Sequence, residues 1–196
     1  MQMNFPPYSA AAVAETLRTP GAVVLLPTET LYGLVCRAGD EMACRRIFSL
    51  KGRAVDKKVG WFAADRAMLE AHGVILDGLP EQLIERFTPG ALTIIAPTKD
   101  GSTRGFRIPD HPLLLEIMHI LNEPLIQTSA NASGMPDVRS VQDALAQLHG
   151  EVDLALDGGT LPEGRLGSTV VDATGKTVKI LRQGELMIPE EEKKDL

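Results

Sequence analysis

Residues 22–33 read "AVVLLPTETLYG". The first six form a short unbroken apolar run stopped by Pro27, the pattern of a strand buried on both faces of a sheet. A helix precedes it, because Ser9 is a good N-cap for "SAAAVAETLR" and Thr19, Pro20 and Gly21 close that segment. The polar stretch "TETLYG" then falls at the strand's carboxyl end, where open α/β sheets bind their ligands.

The same alternation continues downstream. Asp40 caps a helix over "EMACRRIFSLKG", in which Ala43, Ile47 and Leu50 share one face. "VGWFAA" reads as a strand, Asp65 to His72 as a short helix ended by Gly73, and "PEQLIERF" as another helix. "ALTIIAP" and "RGFRIP" are strands, Asp110 is expected to begin the helix "HPLLLEIMHILN", and "PLIQTSANASG" is a strand running into a loop of small polar residues. Ser140 and Asp143 resemble a capping box for "VQDALAQLHG", and "VDLALDGG" returns as strand. "GSTVVDATGKTVKILRQG" places two β-rich runs around the turn "ATGK", which predicts a hairpin. Helices between strands, together with hairpins, predict an α/β fold with a mixed sheet flanked by helices. Residues 1–187 are read as one domain and residues 188–196 as a charged, mobile tail.

Composition limits the function. The chain has 196 residues, 44% hydrophobic and 23% charged, with a formal net charge of -6. That is the profile of a globular domain, and its acidity argues against a protein that coats nucleic acid by bulk charge. Cys36 and Cys44 are expected to be reduced, buried thiols rather than metal ligands or a disulfide framework. The N-terminal stretch lacks the pattern of a secretory signal, and no run approaches the roughly 18 apolar residues of a membrane span. A cytoplasmic protein without membrane contact is expected.

The usual signatures of nucleotide and metal sites are missing: there is no GxxxxGK[ST], no GxGxxG after a strand, no HExxH and no paired CxxC. His72, His111, His119 and His149 lie in unlike contexts and read as structural. "SLKGRAVDKKVG", residues 49–60, gathers Lys51, Arg53, Lys57 and Lys58 against a single acid, Asp56. Lys51 and Arg53 suit the negative end of the preceding helix. Lys57 and Lys58 add like charges that fit either a solvated loop or an anion site. Hydroxyls, an amide and an arginine recur at the ends of apolar runs, in "TET", "SAN" and Arg107 of "GFRIPD". These donor types bind phosphate and carboxylate oxygens, and equally make turns, caps and structural ion pairs.

Taken in order, "PTETLYGL", "KGRAVDK", "TPGALTII", "RIPDHP", "TSANASG", "GSTVVD" and "ILRQG" resemble the YrdC-like threonylcarbamoyl-AMP synthase family, over roughly residues 10 to 185. The paired Lys-x-Arg and Ser-x-Asn elements, Lys51 with Arg53 and Ser129 with Asn131, carry the resemblance most specifically. It implies a single-domain YrdC-like twisted mixed sheet. It also implies an enzyme, a nucleotidyltransferase that makes threonylcarbamoyl-AMP and pyrophosphate from L-threonine, bicarbonate or CO2, and ATP with Mg2+. The product would serve threonylcarbamoyladenosine (t6A) modification of tRNA, with a possible tRNA contact and a link to the tRNA threonylcarbamoyl transferase complex. Carried over by motif, Lys51 and Arg53 are catalytic, stabilising charge on the ATP phosphates. Lys51, Arg53, Lys57, Ser129, Asn131 and Arg182 bind nucleotide, and Thr30, Arg107 and Ser168 bind threonine. No resident protein metal site and no general base are implied.

The implied chemistry brings two anions together, since a carbamate oxygen must attack the α-phosphorus of ATP. Positioning and cationic stabilisation therefore matter most. The loop from Arg53 to Gly60 is expected to cover the site. Three departures from the family pattern stand out: Ala54 replaces a common proline, Phe62 stands where long members carry histidine, and the long form's second domain is not seen. The alternatives are an RNA-binding module, disfavoured by acidity and only 8 aromatic residues, and a paralogue with another carbamoyl or acyl acceptor. Dihydroxybutanone-phosphate synthase shares a similar fold, and the Lys-x-Arg and Ser-x-Asn pair argues against it.

Overall fold

The computed structural model describes residues 9–52 and 59–189. The opening stretch is a hairpin. β1 (Val24–Pro27) turns at residues 28–31 and returns antiparallel as β2 (Tyr32–Arg37). The sequence had "TETLYG" as a polar segment after a strand and did not show the second strand. Thr28 explains the difference, because its Oγ1 donates to the Leu31 carbonyl at 2.8 Å and accepts from the Thr30 and Leu31 amides at 3.1 and 3.2 Å. This one hydroxyl closes the turn from inside, as Ser and Thr side chains do in tight turns.

The remaining elements follow in the order α1 (Ala10–Arg18) before the hairpin, then α2 (Glu41–Leu50), β3 (Gly60–Phe62), α3 (Arg66–Ala71), α4 (Leu79–Phe87), β4 (Leu92–Pro97) and β5 (Thr103–Arg107). They end with α5 (Pro112–Leu121), β6 (Leu125–Ser129), α6 (Val141–Gln147), β7 (Leu154–Ala155), β8 (Thr169–Asp172) and β9 (Lys179–Arg182). Among the described residues the strands form one mixed sheet in the order β7-β1-β2-β6-β3-β5-β4-β8-β9. Pairs β1/β7, β3/β5 and β4/β8 are parallel and the others antiparallel.

Capping places the helices as the sequence predicts, with one exception. Ser9, Asp40, Asp65 and Ser140 each accept an amide of the first turn. The N-cap of α5 is His111 rather than Asp110: its side chain accepts from the Leu114 amide at 3.4 Å, and Pro112 occupies the first helical position, where a missing N–H costs nothing. Two apolar clusters hold the layers together. One joins α1, α3, α4 and α5 to the sheet through Leu17, Leu69, Leu83 and Ile117, and the other joins α2 and α6 through Ile47 and Ala144. Burying each Leu or Ile fully stabilises the fold by about 1.5–3 kcal/mol.

The first cluster reaches Ile188, 4% exposed, so the packed domain runs past residue 187. The rest of the expected tail, residues 190–196, lies outside the described residues. Cys36 is buried and Cys44 partly buried, both as free thiols. No helix among the described residues is long and apolar enough to cross a membrane.

Candidate active site

The register gathers the site. Gly33 pairs with Ser129, Gly60 with Gln127, and Phe62 with Arg107. Ile95 pairs with Gly105 and with Asp172, and Thr93 with Val170. Because paired residues of neighbouring strands point the same way, these side chains share one face. Apart from Phe62, all of them line a cleft of about 560 Å³. Gly60, Gly105 and Gly33 leave its floor without side chains. A Cβ at Gly105 would meet only Ile95 and Thr93, at 3.7 and 3.9 Å.

One end of the cleft is a polar corner built from three distant segments. Arg107, 3% exposed at the end of β5, donates through Nη1 to Thr30 Oγ1 at 2.9 Å. Thr30 Oγ1 is in turn 3.0 Å from Thr28 Oγ1. The guanidinium lies over the Phe62 ring, its Cζ 4.7 Å from the centroid. Phe62, which stands where long family members carry histidine, is fully buried and acts as the platform for this arginine. Burial lowers the Arg107 pKa, Glu29 raises it and Arg182 lowers it further; an arginine stays charged regardless.

Ser168 completes the corner. Its Oγ lies 2.7 Å from Thr93 Oγ1, and its carbonyl accepts from Arg182 Nε and Nη2 at 3.2 and 2.7 Å. Arg182 Nη2 also reaches Ser168 Oγ at 3.3 Å. Thr30, Arg107 and Ser168 therefore line one cleft, and Arg182 stands against the same serine. Gly184 makes this approach possible, since a Cβ there would lie 2.2 Å from the Gly167 carbonyl oxygen.

Ser129 lines the cleft at the end of β6, and its Oγ donates to Asn131 Oδ1 at 2.5 Å. Asn131 Nδ2 donates to the Met135 carbonyl at 2.6 Å, so its amide holds the loop. Lys51 is the C-cap of α2 and 3% exposed, and its ammonium donates to the carbonyls of Ser129 and Asn131. The two elements paired in the sequence thus meet in space, with Lys51 beneath the Ser-x-Asn loop. Arg53 and Lys57, and most of the expected covering loop, lie outside the described residues.

The sequence did not single out Glu29 or Thr93, and it read His111 as structural. Glu29 is the acid in "TET", beside Thr30, and its Oε1 is 3.6 Å from Arg107 Nη1. Burial, the largest influence, pulls the His111 imidazole down to about 4, with Arg107 adding to it, so the ring is neutral at pH 7. Among the described residues no group of three His, Cys, Asp or Glu side chains could hold a metal ion.

Chemically, the cleft offers a buried cation with hydroxyls at one end and a backbone-lined floor leading to a serine-asparagine loop at the other. That arrangement can take an anionic group and an extended polar ligand at once.

The Sua5/YciO/YrdC family, described as "Telomere recombination", matches residues 16–184. The threonylcarbamoyl-AMP synthase of Pyrococcus abyssi is 35% identical over 184 residues, 88% of this chain and 53% of its own length. That of Mus musculus is 36% identical over 176 residues, 83% of this chain and 61% of its own. The structure of Pyrococcus abyssi Sua5 complexed with L-threonine superimposes with a TM-score of 0.79 at 34% identity, covering 93% of this chain and 55% of that one. The chain thus spans a little over half the length of these relatives. By the matched length, the identity and the fold, the chain belongs to the Sua5/YciO/YrdC family.

Proposed function

We propose that this chain is a threonylcarbamoyl-AMP synthase, a nucleotidyltransferase that joins L-threonine, bicarbonate or CO2, and ATP into threonylcarbamoyl-AMP with release of pyrophosphate. The observation that carries the reading is the corner of Arg107, Thr30 and Ser168 in the cleft. It supports recognition of an amino acid, and relatives of that name supply the reaction. The planar fork of Arg107 takes the threonine carboxylate by two charge-assisted bonds. Thr30 and Ser168 add hydroxyls for the substrate's polar groups.

ATP lies along the floor toward Ser129, with Lys51, Arg53, Lys57 and Asn131 serving the nucleotide end, and Arg182 reaches the nucleotide from the threonine corner, where it stands against Ser168. Magnesium enters on the phosphates as part of the substrate. The threonine amine takes up CO2, and the carbamate oxygen attacks the α-phosphorus as pyrophosphate leaves. The enzyme's work is to hold two anions in line and stabilise the charge that develops on phosphate. Lys51 acts from beneath the Ser-x-Asn loop, fixing its carbonyls and adding positive charge. The product would pass to the tRNA threonylcarbamoyl transferase complex for t6A formation.

The test is pyrophosphate release from ATP with magnesium and bicarbonate, with and without L-threonine. Release is expected only with threonine, and Arg107→Ala is expected to abolish the threonine response while nucleotide still binds. Release that ignores threonine would overturn the reading and favour a paralogue with a different acceptor.

A further inference from the structure

Glu29 is a carboxylate beside Arg107 to which the reading above gives no part. Its side chain keeps 15% of its surface, and its Oε1 stands 3.6 Å from Arg107 Nη1. That is ion-pair range, yet too long for a hydrogen bond. Neither of its oxygens makes a well-formed hydrogen bond to a side chain among the described residues, and only backbone N–H groups at Glu29 and Asp110 approach it. Arg107 Nη1 donates to Thr30 Oγ1 instead. A buried guanidinium with no counter-charge is strongly unfavourable, and Glu29 is the carboxylate that the fold brings into range of it.

On the reading above, a substrate brings a second carboxylate to the same guanidinium. Arg107 then faces two anions in an enclosed corner, where closely spaced like charges do not both stay ionised. The substrate carboxylate can occupy the arginine's fork, whereas Glu29 reaches the guanidinium only at 3.6 Å and is otherwise met by backbone N–H groups at Glu29 and Asp110 alone. We propose that Glu29 is the resident counter-ion of Arg107 and takes up one proton when a substrate carboxylate docks on that arginine. The proton comes from solvent, and the only bond formed is O–H on Glu29. This deepens the proposed function and rests on it.

The surroundings agree. Burial already holds the Glu29 carboxyl above its usual range, while the Arg107 charge and backbone hydrogen bonds from Glu29 and Asp110 pull it down and the Asp110 charge raises it. The charged and titratable groups around it are Arg107 on β5, Asp110 and His111 just beyond, and Arg165, which donates to the Glu29 carbonyl. Arg182 acts on Arg107 from β9. His111, held down to about 4, stays neutral near pH 6 and takes no part.

The experiment is calorimetric titration of L-threonine into the full chain saturated with magnesium and a non-hydrolysable ATP analogue. Buffers of different ionisation enthalpy are compared between about pH 5.5 and 7, where the threonine ammonium stays charged. The expected result is uptake approaching one proton per threonine, with affinity falling by up to about tenfold per pH unit as pH rises. Glu29→Gln is expected to bind threonine without that uptake and with a flat pH profile. L-Threoninol, which lacks the carboxylate, is expected to cause no uptake in the native chain.

Threonine binding without proton uptake, or equal uptake in Glu29→Gln, overturns the proposal. Should Glu29→Gln fail to fold, the native chain's response to threonine against threoninol decides. Unchanged threonine binding by Arg107→Ala, or no threonine binding by the native chain, overturns the placement on Arg107 and the proposal with it. Threonine binding that Arg107→Ala abolishes, with no uptake in the native chain, overturns the proposal alone.

Discussion

Arg107 is held on three sides, by the Thr30 hydroxyl at 2.9 Å, by the Phe62 ring 4.7 Å below and by Glu29 3.6 Å away. A lysine keeps the charge but neither the fork nor the stacking. Arg107→Lys is therefore expected to raise the threonine KM by roughly 10- to 100-fold, the size of a lost charge-assisted bond, with the ATP KM little changed. Steady-state pyrophosphate release checks this. His111 gives a pH prediction. Its folded-state pKa, about 4, lies below the unfolded value of 6.5, so the unfolded chain takes the proton first as pH falls. The stability it contributes is complete above about pH 6.5 and is lost toward pH 4. Glu29, with its carboxyl raised, works in the opposite direction in part of this window. His111→Asn keeps a capping side chain without a titration, so urea midpoints from pH 4 to 7 are expected to slope less in the variant than in the native chain. At this scale the sequence disclosed Thr30, Arg107 and Ser168 through family motifs. It did not disclose Glu29, whose role comes from what lies beside it rather than from a spacing, and it read His111 as structural without showing that it caps α5.

Between elements, the site depends on close approaches that only glycine permits. Gly184 lets the segment after β9 lie against that before β8, where a Cβ would come within 2.2 Å of one backbone oxygen and 2.5 Å of another. Gly184→Ala is expected to cost about 1–3 kcal/mol by overpacking, and to disturb the Arg182–Ser168 contact. A denaturant midpoint and the threonine KM measure the two effects. Gly105 is the opposite case. Its added Cβ meets nothing closer than 3.7 Å and projects into the cleft. Gly105→Val suits a strand, so it is expected to leave the thermal midpoint unchanged or slightly raised while ligand binding falls. Thermal melts with and without ATP and threonine separate the two outcomes. Helix starts were legible at this scale because a cap is a local device, as at Asp40 and Ser140. The short strands β3 and β7 were overdrawn, because pairing partners set a strand's length.

For the whole molecule, two apolar clusters share one continuous sheet. Trp61, the single tryptophan, packs against both. Unfolding of either cluster should therefore change its fluorescence. Coincident melts by tryptophan fluorescence and far-UV circular dichroism are expected, as for one cooperative unit. Two separated transitions would show that the halves of the sheet unfold independently. The cleft belongs to this scale as well. Its floor draws on β2, β6, β3, β5, β4 and β8, strands adjacent in space and scattered along the chain.

Apolar runs, caps and turn residues determined by themselves that this chain is an α/β domain with a mixed sheet, because those signals act over a few neighbouring residues. The ordered motifs likewise pointed to the family and to Thr30, Arg107, Ser129, Ser168 and Arg182, which line the cleft. The antiparallel return of "LYGLVCR", the alignment of Gly60 with Gln127 and the meeting of Lys51 with the Ser-x-Asn loop were decided only in three dimensions. So was the pairing of Glu29 with Arg107. Long-range register and burial join residues 78 positions apart at Arg107 and Glu29, and no local pattern encodes the cost of enclosing two charges together.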